Sequence, residues 1–139
     1  MDIRGLGYVT LLSSDLAQWR HYASQVLGMM VSGDDELLYL KMDERHYRIL
    51  VQKNAENSFG ACGWEVAGKA ALEQAVSELQ QADVQVTRGT ATEAELRKVQ
   101  ELVHFSDPDG NRHEIFWGPL QDFSRFVSPV GVKGFVTND

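Results

Sequence analysis

The chain runs through one plan twice, and that repetition constrains its fold more than any single motif. A short β-rich run, "LGYVTLL" from Leu6, leads into an amphipathic stretch and then into "MMVSG", "ELLYLKM" and "YRILVQ", with "GDD" and "DERH" as turns. In the amphipathic stretch Ser14 or Asp15 supplies the cap. Leu16, Trp19, Tyr22, Ala23, Val26 and Leu27 supply the apolar face, and Gly28 the stop. The succession starts again at "ACGWEVAG", passes through a helix with Leu72, Ala75, Val76, Leu79 and Ala82 on one face, and reaches the strand-like "VQVTRG" from Val84. It ends in "ELVHFSDPDGNRHEIFWG". Thr92 and Glu95 have the spacing of a capping box for a short extra helix, an insertion in the second copy. Each copy reads βαβββ, and tandem copies of one supersecondary unit bury together what neither buries alone.

Turn-bounded strands alternating with helices predict an α+β fold, in which two four-stranded sheets curl toward one another as a half-open eight-stranded barrel around a central cavity. With 139 residues, 43% of them hydrophobic, the chain has material for one domain or for two small halves sharing a core. The reading places the paired modules in residues 1–118, at about 1–55 and 59–118, and an extended tail or interdomain linker in 119–139. A net charge of -7 without any Lys/Arg run argues against nucleic acid and anionic membranes as partners. The single cysteine, Cys62, cannot form an internal disulfide. The start of the chain has no basic segment followed by a long apolar run, and no stretch approaches the ~18 apolar residues of a membrane span. The expected location is cytoplasmic.

Laying "LGYVT" on "CGWEV" and "HYRILV" on "RHEIFW" makes Tyr8, Arg48, Trp64 and Glu114 equivalent inward positions. A carboxylate among inward strand positions raises the question of a metal. Of the four histidines, His21 and His46 read as solvated, and His113 points away from its neighbour Glu114 because adjacent strand residues face opposite sides. His104 is the candidate. If "DPDGN" is the hairpin turn, His104 stands across from Glu114 and gives one imidazole and one carboxylate, with no third ligand. Arg48 is the expected counter-charge for Glu114, since a buried carboxylate needs one.

The segments "RGLGYVTL", "LYLKMDERHYRILVQ", "GWEVAGK", "FSDPDGNRHEIFWG" and "FVSPVGVKGFVTND" together resemble the amino-terminal domain of type I extradiol ring-cleaving dioxygenases. These are vicinal-oxygen-chelate enzymes acting on dihydroxybiphenyls, dihydroxynaphthalenes and steroid catechols. The resemblance covers essentially the whole chain. It implies a non-catalytic domain of an iron-dependent enzyme of aromatic catabolism, with ferrous iron held outside this segment by a missing carboxy-terminal catalytic domain. In the metal-bearing domain of that family two His and one Glu form the iron site. The matching positions here are Tyr8, Trp64 and Glu114, so the chain is expected to carry vestigial ligand positions, no metal or cofactor of its own, and no activity alone.

The tail "PLQDFSRFVSPVGVKGFVTND" carries Phe123, Phe126, Val127, Val130 and Phe135 among Pro and Gly. It is too apolar for a disordered end and too irregular for a helix. Either it lies on a partner, in a two-fold oligomer or against a second domain, or it folds back over its own domain. The alternative to the dioxygenase-domain reading is a free-standing protein of the same superfamily, a metalloenzyme or a binder of small aromatic compounds.

Overall fold

The computed structural model describes residues 1–137. Strand β1 (Gly5–Ser13) is followed by helix α1 (Leu16–His21), β2 (Met30–Gly33), β3 (Leu37–Lys41) and β4 (Ile49–Lys53). The second succession is β5 (Ser58–Glu65), α2 (Lys69–Gln81), β6 (Thr87–Arg88), the inserted α3 (Ala91–Arg97), β7 (Val99–Ser106) and β8 (Arg112–Pro119). Two βαβββ modules in an α+β fold are thus present. Their strands are ordered β2-β3-β4-β1 and β5-β8-β7-β6, with β2 and β6 as open ends, so the eight strands do not close into a barrel. By compactness the chain divides into Tyr8–Gly60 with the tail from Gln121, and Ala61–Leu120 with Met1–Gly7.

In the first module the cap is Asp15, whose side chain accepts from the Gln18 N–H. The helix then widens: Tyr22–Leu27 is a π-helical turn, in which the Ser24 hydroxyl donates to the Arg20 carbonyl at 2.7 Å. Gly28 stops it with φ 77, the left-handed conformation that a residue lacking Cβ adopts freely. Leu16, Trp19, Ala23 and Leu27 pack on Leu38, Leu40, Ile49 and Val51, whereas Tyr22 and Val26 stay exposed. A π-turn departs from the 3.6-residue period, and the apolar face is narrower than the spacing predicts. Parallel pairing sets Val9 against Ile49, and Leu11 against Val51.

In the second module Leu72, Ala75 and Val76 of α2 pack on Val66, Val103 and Ile115. β5 runs parallel to β8 with Trp64 beside Ile115, and β7 pairs antiparallel with β8. Gly7 leaves room for an aromatic ring: a Cβ there would lie 2.3 Å from Phe116 Cζ. Of the run from Val84 only Thr87 and Arg88 pair with β7; Val86 instead contributes to the core. The inserted helix is present, but its capping box is Thr90 with Glu93, one turn-fraction earlier than Thr92 with Glu95. Both pairs have the T-x-x-E spacing. Thr90 holds the extended backbone of a cap (φ -79, ψ 164), and Thr92 already lies inside the helix.

The tail folds back over its own first module. Phe135 packs on the α1 core, Phe126 and Phe135 meet edge to face with ring centroids 5.9 Å apart, and the Val127 N–H approaches Met30 Sδ at 3.1 Å. A Cβ at Gly28 would lie 2.4 Å from Val132 Cγ2, so this glycine serves the tail as well as the helix stop. Phe123, 93% exposed, and Val136, 100% exposed, point outward.

The two candidate capping boxes make separable predictions. Thr90→Ala removes a cap and is expected to lower the unfolding free energy by about 0.5–2 kcal/mol, while Thr92→Ala stays within about 0.5 kcal/mol of wild type. Urea denaturation of the two variants is the measurement.

Candidate functional site

The hairpin β7–β8 is organised by its turn. Asp107 accepts from the backbone N–H of Asp109 and of Asn111, and Gly110 takes a positive φ of 84. This turn sets the register in which His104 lies opposite Glu114, as the spacing predicts.

Glu114 has no exposed surface. Its charge is met within the module by two guanidinium groups. Arg97 at the end of α3, itself 7% exposed, donates Nε to Oε1 at 2.8 Å and Nη2 to Oε2 at 3.1 Å. Arg112 Nε donates to Oε2 at 2.9 Å. Arg112 also reaches Glu93 Oε1 at 3.1 Å, and Glu93 Oε2 accepts the Thr90 N–H at 2.8 Å. The cap hydrogen bond from Thr90, followed by the Arg112 contact, holds the Glu93 carboxyl below its usual range. A chain of contacts thus runs Thr90–Glu93–Arg112–Glu114–Arg97, two carboxylates against two guanidiniums. His104 stands beside it as a neutral imidazole, because burial, followed by the nearby Arg112, pushes its pKa down.

Arg48, the expected counter-charge, donates Nε to Asp43 Oδ2 at 2.7 Å in the first module. The partner that sequence reasoning missed is Arg97. It is 17 residues from Glu114 and on an inserted element without a counterpart in the first module, so comparing the two copies could not expose it. The only local signal is its place in the last turn of α3, where the left-handed Lys98 (φ 55) ends the helix.

Register also corrects the alignment of the copies. Val9 is beside Ile49 and Trp64 is beside Ile115, so Trp64 matches Val9; the residue opposite Glu114 is Gly63. A slip of one residue exchanges the faces of a strand. Trp64 consequently packs with Ile115 and Phe105 on the α2 side, where its Nε1–H donates to His113 Nδ1 at 3.1 Å. That bond leaves the proton on His113 Nε2, which faces Asp107 Oδ2 at 3.0 Å. Tyr8 is buried in a tyrosine cluster of the first module, its ring 5.6 Å from that of the buried Tyr47, which in turn lies 5.0 Å from the half-buried Tyr39. Within its module Glu114 therefore has neither Trp64 nor His113 on its face.

Ferrous iron does not fit this arrangement. Each oxygen of the one suitably placed carboxylate already accepts from a guanidinium, and two fixed positive charges beside it oppose a dication. His104 is the only imidazole on that side of the hairpin, and among the described residues no group of three or more His, Cys, Asp or Glu side chains could hold a metal ion.

Tandem βαβββ modules with open sheets are the plan of the glyoxalase/dioxygenase fold. A crystal structure of a catechol 2,3-dioxygenase matches with a TM-score of 0.93 and 35% identity, over 99% of this chain and 50% of that one. A family model described as "Dihydroxybiphenyl dioxygenase BphC D1" matches residues 6–53. Over its whole length the chain is similar to extradiol ring-cleaving dioxygenases. It is 38% identical over 141 residues to the iron-dependent extradiol dioxygenase of Rhodococcus jostii (strain RHA1), covering all of this chain and 47% of that protein. The biphenyl-2,3-diol 1,2-dioxygenase of Paraburkholderia xenovorans (strain LB400) gives the same identity and coverage. The chain spans about half the length of these curated relatives.

Two predictions follow from the charge chain and the turn. Arg97→Met removes the two-point guanidinium contact of the buried Glu114, and is expected to cost about 3–5 kcal/mol in urea melts, whereas Arg88→Met, at an exposed pair with Glu73, stays below about 1 kcal/mol. The Asp107 carboxyl is held down to about 2, first by His113 and then by the Asn111 N–H, against an ordinary 3.8. A depressed carboxyl stabilises the fold above its unfolded pKa, so this contribution is complete above pH ~4 and lost as pH falls toward ~2. In Asp107→Asn the acid limb of the stability profile is expected to flatten over that window, as measured by thermal melts at successive pH values.

Proposed function

We propose that this chain is the non-catalytic amino-terminal domain of an iron-dependent extradiol catechol dioxygenase of the biphenyl-2,3-diol type, working in aromatic catabolism. The observation that carries the reading is the state of Glu114: where a metal-bearing copy of the module needs an available carboxylate, this one has its carboxylate neutralised by Arg97 and Arg112. The domain scaffolds; the chemistry belongs to a carboxy-terminal catalytic domain that would hold the ferrous iron. Similarity that spans all of this chain but about half of each relative supports that division of labour.

Catalytic residues, metal ligands and cofactor contacts are accordingly assigned to none of the residues here, and Tyr8, Trp64 and Glu114 take no part in ring cleavage. The partners are the catalytic domain and, in the assembled enzyme, further copies of the same chain. Exposed Phe123, Val127 and Val136 offer apolar surface for either. A cytoplasmic setting agrees with a single cysteine, which burial keeps as the thiol by raising its pKa, and with the absence among the described residues of a helix long and apolar enough to cross a membrane.

After anaerobic loading with ferrous iron, the 139-residue chain is expected to retain far less than one iron per chain in elemental analysis and to cleave no 2,3-dihydroxybiphenyl. Near-stoichiometric iron that disappears in Glu114→Ala would overturn the reading.

A further inference from the structure

Lys41 is among the few buried charged residues, at 5% exposure. It closes β3 on the face opposite Leu38 and Leu40, which pack on α1, so its ammonium gains nothing from the helix side. Its ion-pair partner is Asp122 Oδ2, a residue that the tail brings from 81 positions away. Asp122 is tied in turn: Oδ1 accepts the Ser124 N–H at 2.9 Å, and the carboxyl is held at about 2, chiefly by Lys41. The neighbouring Gln121 carbonyl lies 3.0 Å from His46 Nε2, and His46 Nδ1 lies 3.8 Å from Asp122 Oδ2.

We propose that Lys41 and Asp122 form a charge key that fixes the course of the tail across the first module, with His46 as its guide. The apolar contacts further along cannot do this alone. Phe126 and Phe135 give adhesion, but greasy contacts tolerate sliding, whereas a buried ammonium accepts one position of a carboxylate and penalises every other. Fixing residue 122 decides which side chains of a segment without regular structure turn inward, among them Phe126, Val132 and Phe135. It decides as well which turn out, among them Phe123 and Val136. Lys41 is thus a positioning residue for the segment that leaves the domain. The inference is independent of the dioxygenase reading and would stand for any protein carrying this module.

The test uses hydrogen exchange on the 139-residue chain, comparing tail amides 121–136 with those of β3 and β4. In Lys41→Met, which removes the buried charge without burdening the module, tail amides are expected to exchange about tenfold faster while β3 and β4 keep their rates. Asp122→Lys should release the tail too, and the charge-swapped Lys41→Asp/Asp122→Lys should recover protection. Tail exchange within twofold of wild type in Lys41→Met would show that the phenylalanines hold the segment by themselves. Acceleration of β3 and β4 together with the tail would make the pair a part of the module's own stability; either result ends the proposal.

Discussion

A carboxylate with no solvent contact has to be neutralised where it stands, and Glu114 is such a group in the middle of β8. The hairpin register is compatible with it only because α3 delivers Arg97 to one side and the strand itself supplies Arg112, two residues away. The inserted helix is therefore more than a connection. Its N-terminal capping box shares Glu93 with Arg112, and its last residue, Arg97, makes a two-point contact with Glu114. Local helix capping and a buried ion pair, usually separate devices, are here one hydrogen-bonded assembly.

That assembly also gives the domain its chemical character. Extradiol cleavage needs a carboxylate with lone pairs to spare, two imidazoles beside it, and open positions on the metal. In the second module the carboxylate in the middle of β8 is engaged by two arginines instead. His104 stays close by, but the two guanidinium groups beside it oppose a cation there.

Much of the architecture was legible because it rests on local chemistry. The repeat, the helices, Gly28 as a stop and the DPDGN turn with its His104–Glu114 pairing all follow from spacing and turn residues. What escaped depended on facts that spacing does not encode. The period of two in a strand is unforgiving, so aligning "LGYVT" with "CGWEV" one residue out placed Trp64 on the wrong face. Thr92 and Thr90 satisfy the same capping rule, and only backbone conformation chooses between them. Arg97 was out of reach because it sits on the one element that the first copy lacks. The tail presented two sound options, since apolar residues among Pro and Gly fit a partner as well as their own domain; the buried charge of Lys41 favours the second.

The closed chain from Thr90 to Arg97 has a consequence for how such a domain can change over generations. Its four charged members sum to zero, and each touches at least one of the others. Loss of either arginine leaves negative charge in excess, and loss of Glu114 leaves positive charge in excess. Substitutions at positions 93, 97, 112 and 114 should then be accepted in company, as compensated sets, while the exposed Arg88 and Glu73 drift freely. Among related domains those four positions should vary as one character.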